Sequence, residues 1–372
     1  MPSLPLTNRL DVNLGYECNN DCLFCYFKNR KQTTVNLSTK EAKKRLTFIK
    51  KLGVDTIEFT GGEPTIRKDI LELVRFAKHS LGFKKISVIT NGSRFCDEGF
   101  AREAIKNGID DVLISIHGHN EETNDLLTGK KGSFRKSIVA VKNIIGLTAS
   151  CRTNTVVTKL NYQEASNIAE LLYNIGIKKI NFIFFSPLDD ALDIEKALWP
   201  KYSEAAPFIK EMLETYKNKF ETISIKVIPF CFMKGYEEYV TDFFQNIYDP
   251  YEWDYLKRVR LRRGLLISLI ASLAGTFLFM DVKRILELGL NGSLHEGIMR
   301  TRAFIESKKD KTCNSCKFDL VCPGIWKPYA RAYGIAELRH FSIKEAAINK
   351  ITDIDWCLTK RFSNYYKKIA SP

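Results

Sequence analysis

Histidine is scarce in this chain, with five in 372 residues and none before His79. A zinc site near the N-terminus would want a Cys or His close to its other ligands, so the early cysteines have no histidine to share a metal with. The opening residues, Met1-Pro2-Ser3-Leu4-Pro5, lack a charged segment followed by an apolar run, which argues against an export signal. Ten cysteines therefore read as metal ligands in a reducing compartment rather than as disulfides, and the chain is expected in the cytoplasm. Acidic residues are fewer than basic ones, 43 against 57, for a net charge of +14. The lysines are spread along the chain, so the excess reads as a solvated basic surface, and nucleic acid is not the expected partner. A hydrophobic fraction of 45% is enough for a core, and the length suits one large domain and a smaller one.

What is present is led by Cys18, Cys22 and Cys25, spaced Cys-x3-Cys-x2-Cys. They follow Leu10-Asp11-Val12-Asn13-Leu14, whose alternation reads as a strand. Thiolates at this spacing can wrap one face of an iron–sulfur cube. A four-iron cluster ordinarily takes four cysteines; here the loop offers three, leaving one iron open to a substrate or cosubstrate. A zinc knuckle and a chance group of buried thiols are the competing readings.

Strand and helix patterns then alternate to about residue 186. Strands are expected near 10–15, 55–60, 85–90, 111–116, 150–158 and 180–185. Ser38 and Glu41 form a capping-box pair, and Asn161 with Glu164 a second helix-start signature. Strands separated by helices argue for a parallel sheet, with ligands at the carboxyl ends of its strands. Gly61-Gly62-Glu63-Pro64 ends the second strand. Its glycines let a ligand approach the backbone, and Pro64 holds Glu63 extended, so that its carboxylate can face a cation.

The cysteine spacing, with Phe24 before the third cysteine and the Gly61–Pro64 segment about forty residues on, resembles the radical S-adenosylmethionine (radical SAM) superfamily. The resemblance implies an α/β fold, a partial (β/α)6 barrel over residues 1–220, with a smaller C-terminal domain over 221–372. It implies a [4Fe-4S] cluster on Cys18, Cys22 and Cys25 that chelates S-adenosylmethionine. Phe24 would lie near the adenine, Gly61, Gly62, Glu63 and Pro64 at the methionyl amino group, Ser115 at the ribose, Asn154 at the methionyl carboxylate, and Asn91 beside the cofactor. One-electron reduction would cleave the sulfonium to methionine and a 5′-deoxyadenosyl radical, which takes hydrogen from the substrate. A low-potential electron donor such as flavodoxin or ferredoxin is implied. The stretch 127–134 (LTGKKGSF) is similar to the loop after strand four in this superfamily. His117 and His119 fall at the rim, without a catalytic assignment.

Cysteine becomes informative again at Cys313, Cys316 and Cys322, spaced Cys-x2-Cys-x5-Cys. With Gly324, Tyr329, Tyr333-Gly334 and Glu337, these resemble the SPASM and shorter Twitch auxiliary-cluster domains. Trp326 stands where the full SPASM pattern has a further cysteine, which implies one auxiliary [4Fe-4S] cluster rather than two. Cys231 is the first choice for its fourth ligand and Cys357 the second; a zinc ribbon is the alternative. Cys96 and Cys151 fit no spacing and read as buried thiols.

Between Cys231 and Cys313, residues 264–280 (GLLISLIASLAGTFLFM) carry no charge and follow Arg258, Arg260, Arg262 and Arg263. Seventeen residues lie at the lower limit for a membrane span. The expectation is a buried helix inserted in the C-terminal domain, with contact with a membrane surface as the alternative. The expected substrate is a ribosomal peptide or a small metabolite. Two rivals are a membrane-associated radical SAM enzyme acting on a lipid and, from another class, a non-catalytic iron–sulfur carrier or sensor.

Overall fold

In the computed structural model, six strands run parallel in chain order: β1 (Arg9–Asn13), β2 (Thr56–Thr60), β3 (Lys85–Thr90), β4 (Asp111–Ser115), β5 (Ser150–Val157) and β6 (Lys179–Phe184). The structure describes residues 6–27, 36–187, 196–241, 245–319 and 321–338. The helices between the strands are α1 (Thr39–Lys51), α2 (Ile70–Arg75), α3 (Glu98–Lys106), α4 (Glu121–Thr128), α5 (Ser133–Gly146) and α6 (Ala165–Asn174). This is the parallel sheet that the alternation predicted, in the partial barrel that the resemblance implied. One addition to it is β7 (Thr222–Lys226), after α7 (Tyr202–Tyr216), which extends the sheet to seven strands in the order β1 to β7. The chain divides into two compact units, 9–200 with 207–224, and 1–8 with 201–206 and 225–372.

The strands form because their apolar residues can be covered on both faces, as parallel sheets require. Leu10, Val12, Ile57, Phe59, Ile86, Val88, Val112 and Ile114 are completely buried. Local signals set the helix ends. Ser38 and Glu41 make the full capping box of α1. Asn161 does otherwise than expected: its Oδ1 accepts from Thr158 N at 2.7 Å, and it does not cap the following helix.

Near the amino ends of the strands, the barrel buries charge. Arg9 pairs with Glu58, and Arg152 Nη2 reaches Asp111 Oδ2 at 2.7 Å and Glu58 Oε1 at 3.2 Å. Burial alone would raise the Asp111 carboxyl, but the adjoining Arg152 guanidinium and the Lys85 ammonium outweigh it and hold it far below the ordinary carboxylate range.

In the second unit, α8 (Tyr255–Arg263), α9 (Leu265–Phe279) and α10 (Val282–Glu306) follow one another, α10 being interrupted at Gly289. A two-residue antiparallel pair, β8 (Ser307–Lys308) with β9 (Ile325–Trp326), brackets the later cysteines, and α11 (Lys327–Tyr333) ends the described part. The segment 264–280 is the expected helix but not a buried one. Ser268, Ser272, Gly275 and Thr276 face inward, while Leu266, Ile270 and Phe277 are exposed. The correction has a packing cause: α9 meets α10 through its small residues, which turns its large ones outward. Among the described residues, no helix is long and apolar enough to cross a membrane.

Candidate active site

The cysteine loop leaves the carboxyl end of β1 and is gripped by loops from three other strands. After β2, Gly62 N donates to Gly15 O at 2.9 Å and Glu63 N to Glu17 O at 2.8 Å. After β4, Asp21 N donates to Thr128 O at 3.0 Å and Leu23 N to Leu127 O at 2.9 Å. After β3, Asn91 Nδ2 donates to Asn19 Oδ1 at 2.7 Å, and Asn19 Nδ2 to Ser93 Oγ at 2.9 Å. Cys18, Cys22 and Cys25 are thus placed by backbone far from them in sequence. All three are partly exposed and in no disulfide.

The glycines of the β2 loop serve this grip. A Cβ on Gly62 would stand 2.0 Å from Glu17 O, and one on Gly61 2.2 Å from Gly15 O. The close approach expected from a ligand is thus made by the cysteine loop itself. Glu63 is extended, as Pro64 demands, but its buried carboxylate is spent inside the protein. It accepts from Thr65 N at 3.0 Å, Thr90 Oγ1 at 2.8 Å and Asn91 N at 2.6 Å. Burial pushes its pKa above the ordinary value, against the lowering by these donors. The side chain expected at an amino group therefore braces Asn91 and, through it, the cysteine loop.

Ser115 and Asn154 sit opposite one another in the register of β4 and β5. Asn154 Oδ1 is buried with no hydrogen-bond partner among the described residues, an orphaned polar atom of the kind a ligand satisfies. Phe24 packs edge-on against His117, ring centroids 4.6 Å apart. His117 Nδ1 accepts from Val156 N at 3.1 Å, and burial lowers its pKa to about 3. It is a neutral wall of the site with its proton on Nε2. His119 is tied to Glu164, Nδ1 to Oε2 at 2.9 Å.

Among the described residues, no three Cys, His, Asp or Glu side chains converge on a single metal ion. Two N–H donors face Cys18 Sγ, Asn20 N at 3.4 Å and Asn91 Nδ2 at 4.0 Å, contacts of the kind that would tune a cluster held there through its sulfurs. The three thiols, these donors and the Asn154 oxygen fit a cluster with a polar ligand at its open iron. Sequence reasoning missed Asn19, Thr65 and Thr90; only the Asn19-Asn20 step inside the cysteine loop carried any signal for them.

In the second unit, Cys313 and Cys316 occupy the turn 311–315 and its cap. Cys322 Sγ faces Gly324 N at 3.4 Å and the Phe230 amide. Phe230 also stacks on Phe318, centroids 4.8 Å apart, which brings the Cys231 segment to the triplet. Cys357 lies outside the described residues. Tyr329, expected as part of this motif, is buried, stacked on Tyr202 and bonded to Glu337. Cys96 and Cys151 are half-buried, not fully so.

Residues 12–172 match the family model described as the radical SAM superfamily. A probable GTP 3′,8-cyclase of Saccharolobus solfataricus is 29% identical over 234 residues, 56% of this chain and 75% of that protein. The mycofactocin maturase MftC of Mycolicibacterium smegmatis is 35% identical over 170 residues, 45% of this chain and 42% of the maturase. The solved structure of native anSMEcpe with bound AdoMet aligns over 97% of this chain and 98% of its own, with TM-score 0.55 and 14% identity, which is a likeness of fold. The chain spans about half the length of SuiB from Streptococcus suis, covering 49% of it at a TM-score of 0.48.

Proposed function

We propose that this chain, whose residues 12–172 match the radical SAM superfamily model, is a radical SAM enzyme that holds a [4Fe-4S] cluster on Cys18, Cys22 and Cys25 and abstracts hydrogen from a peptide or small-molecule substrate. The observation that carries this reading is the cysteine loop pinned across the strand ends by backbone bonds to the β2 and β4 loops. When bound, the cluster and S-adenosylmethionine supply the one-electron reductive cleavage that yields methionine and a 5′-deoxyadenosyl radical. The chain's own part is to place and to shield. The Gly62 and Glu63 amides fix the loop, and Glu63 holds Asn91 against it. Asn154, with its unpartnered oxygen, is the candidate for a polar group of the methionyl end, and Ser115 for the ribose. Phe24 on neutral His117 forms an apolar wall that keeps water from a reactive intermediate.

The named relatives differ in what they act on, GTP in one and mycofactocin in the other, so the substrate class stays at a peptide or small metabolite. Cys313, Cys316 and Cys322 with Cys231 are proposed to hold an auxiliary cluster, and a soluble low-potential protein in the cytoplasm to deliver the electron.

The test is anaerobic reconstitution of the full chain and of Cys18/Cys22/Cys25→Ala, with iron counted and 5′-deoxyadenosine measured under a chemical reductant. We expect the variant to lose about one cluster's iron and all detectable 5′-deoxyadenosine. Equal 5′-deoxyadenosine from the two proteins would overturn the assignment.

A further inference from the structure

The hairpin of α9 and α10 is built inside out. On α9, Ser268, Ser272 and Thr276, spaced four apart, are 1%, 0% and 5% exposed. Leu266, Ile270, Leu273 and Phe277 share the other face, and Leu266 and Phe277 are 71% and 76% exposed. Residues at that spacing lie along one side of a helix. On α10, Leu286 and Leu290 are exposed as well, at 77% and 78%. In water, an amphipathic helix turns its apolar face inward; here that rule is reversed along a whole helix.

The inner contact explains how the reversal holds together. The two backbones nearly touch: a Cβ on Gly275 would fall 1.8 Å from Gly297 O. Thr276 Oγ1 lies 2.9 Å from both Ser272 O and Ser293 O, and Thr301 Oγ1 donates to Ala271 O at 2.7 Å. Small residues packed closely, with hydroxyls bonded to backbone carbonyls and large apolar side chains outside, are the mode of helix pairing suited to apolar surroundings. An apolar patch of this size on a protein in water marks an interaction surface.

Charge says which kind. Arg260, Arg262 and Arg263, all exposed, form the last turn of α8 immediately before α9. Lys283 is exposed where α10 begins, and Asp281 and Glu287 are the exposed acidic residues of the hairpin. The fifteen residues of α9 rise about 22 Å at 1.5 Å each, short of a hydrocarbon core of about 30 Å. Such a helix can lie along a bilayer surface with its apolar side in the acyl boundary and cations at the headgroups. Pairing with a second copy would bring two arginine clusters toward each other, whereas anionic headgroups neutralise them.

We infer that the α9–α10 hairpin is a membrane-docking surface, seated on anionic lipid by its outward leucines, Ile270 and Phe277 and by the arginines of α8. This stands apart from the chemistry proposed above. The test is flotation of the reconstituted full chain with vesicles of phosphatidylcholine alone or with about one-third phosphatidylglycerol. Binding is expected on the anionic vesicles and at least tenfold weaker on the neutral ones. Arg260/Arg262/Arg263→Ala should weaken anionic binding about a hundredfold, at roughly fivefold per cation near the surface. Ile270→Asp/Phe277→Asp should abolish it, while cluster absorbance, circular dichroism and 5′-deoxyadenosine formation stay at wild-type levels. The inference is overturned if wild-type protein stays off anionic vesicles, or if it forms a dimer in solution that Ile270→Asp/Phe277→Asp dissociates.

Discussion

The two cysteine sets are held in different ways. Around Cys18, Cys22 and Cys25, the amides of Gly62, Glu63, Asp21 and Leu23 bond across the strand ends to carbonyls that lie more than forty residues away. Around Cys313, Cys316 and Cys322, the bonds between backbone groups are local, Cys313 N to Asp310 O, Cys316 N to Cys313 O and Cys322 N to Phe318 O, and the long-range contact is the Phe230 amide at Cys322 Sγ. The first loop inherits its order from the sheet. The second closes turns of a few residues and has short strands beside it, so more of its order would come from the auxiliary cluster proposed for it, since metal binding energy is folding energy in small sites. The comparison teaches where a cofactor loop can wait preformed and where the cofactor completes the fold.

The largest effect should come from breaking the first loop's grip without touching a cysteine. Gly62→Val places a branched side chain where even a Cβ meets Glu17 O at 2.0 Å, and backbone cannot yield as a flexible side chain would. We expect 5′-deoxyadenosine formation to fall by at least about a thousandfold, since small misplacements alone cost about a hundredfold, with the barrel still folded by circular dichroism. Activity within tenfold of wild type would show that the β2 loop does not position the cysteines.

A smaller but more direct contrast lies in hydrogen exchange of the iron-stripped protein. The amides of Asp21, Leu23, Gly62 and Glu63 should keep their protection to within about threefold, whereas those of Cys316 and Cys322 should lose about tenfold or more, a free-energy change of about 1.4 kcal/mol. Equal losses in the two sets would abolish the distinction.

The smallest expected effect concerns Glu63. Its pKa is raised in the folded state, so its protonated form is the one that folding favours. Its contribution to stability is therefore greatest below the ordinary carboxylate range and declines as pH rises through the folded value. Glu63→Gln, which cannot ionise, should gain on the wild type in urea unfolding as pH climbs through and above the ordinary carboxylate range. The same variant should bind S-adenosylmethionine a few-fold more weakly, because the amide presents one acceptor oxygen where the carboxyl group has two, and Glu63 uses both to hold Thr65, Thr90 and Asn91. A stability difference that does not change with pH would mean that the carboxylate ionises as freely folded as unfolded.

Much of the first unit was legible in the chain. The alternation of strand and helix patterns located β1 to β6 to within about two residues, and the Ser38–Glu41 capping box was read from four adjacent positions. These signals are local, and parallel strands buried on both faces leave little room for a different pairing. The charges within the strands were not legible. Arg9, Glu58, Asp111 and Arg152 look like solvent-facing positions until the closing sheet sets them against one another.

By itself, the sequence determined where the cysteines cluster and in which order the sheet is laid down, because residue spacing and hydrophobic period are properties of neighbours along the chain. Tertiary structure alone decided which backbone Gly61 and Gly62 make room for, that Glu63 accepts from Asn91, and that the apolar run 264–280 turns its leucines outward. Each of these depends on which backbone arrives opposite. A glycine, a carboxylate or an apolar helix face has the same composition whichever partner comes, and the partners here come from loops and helices that only the fold brings together.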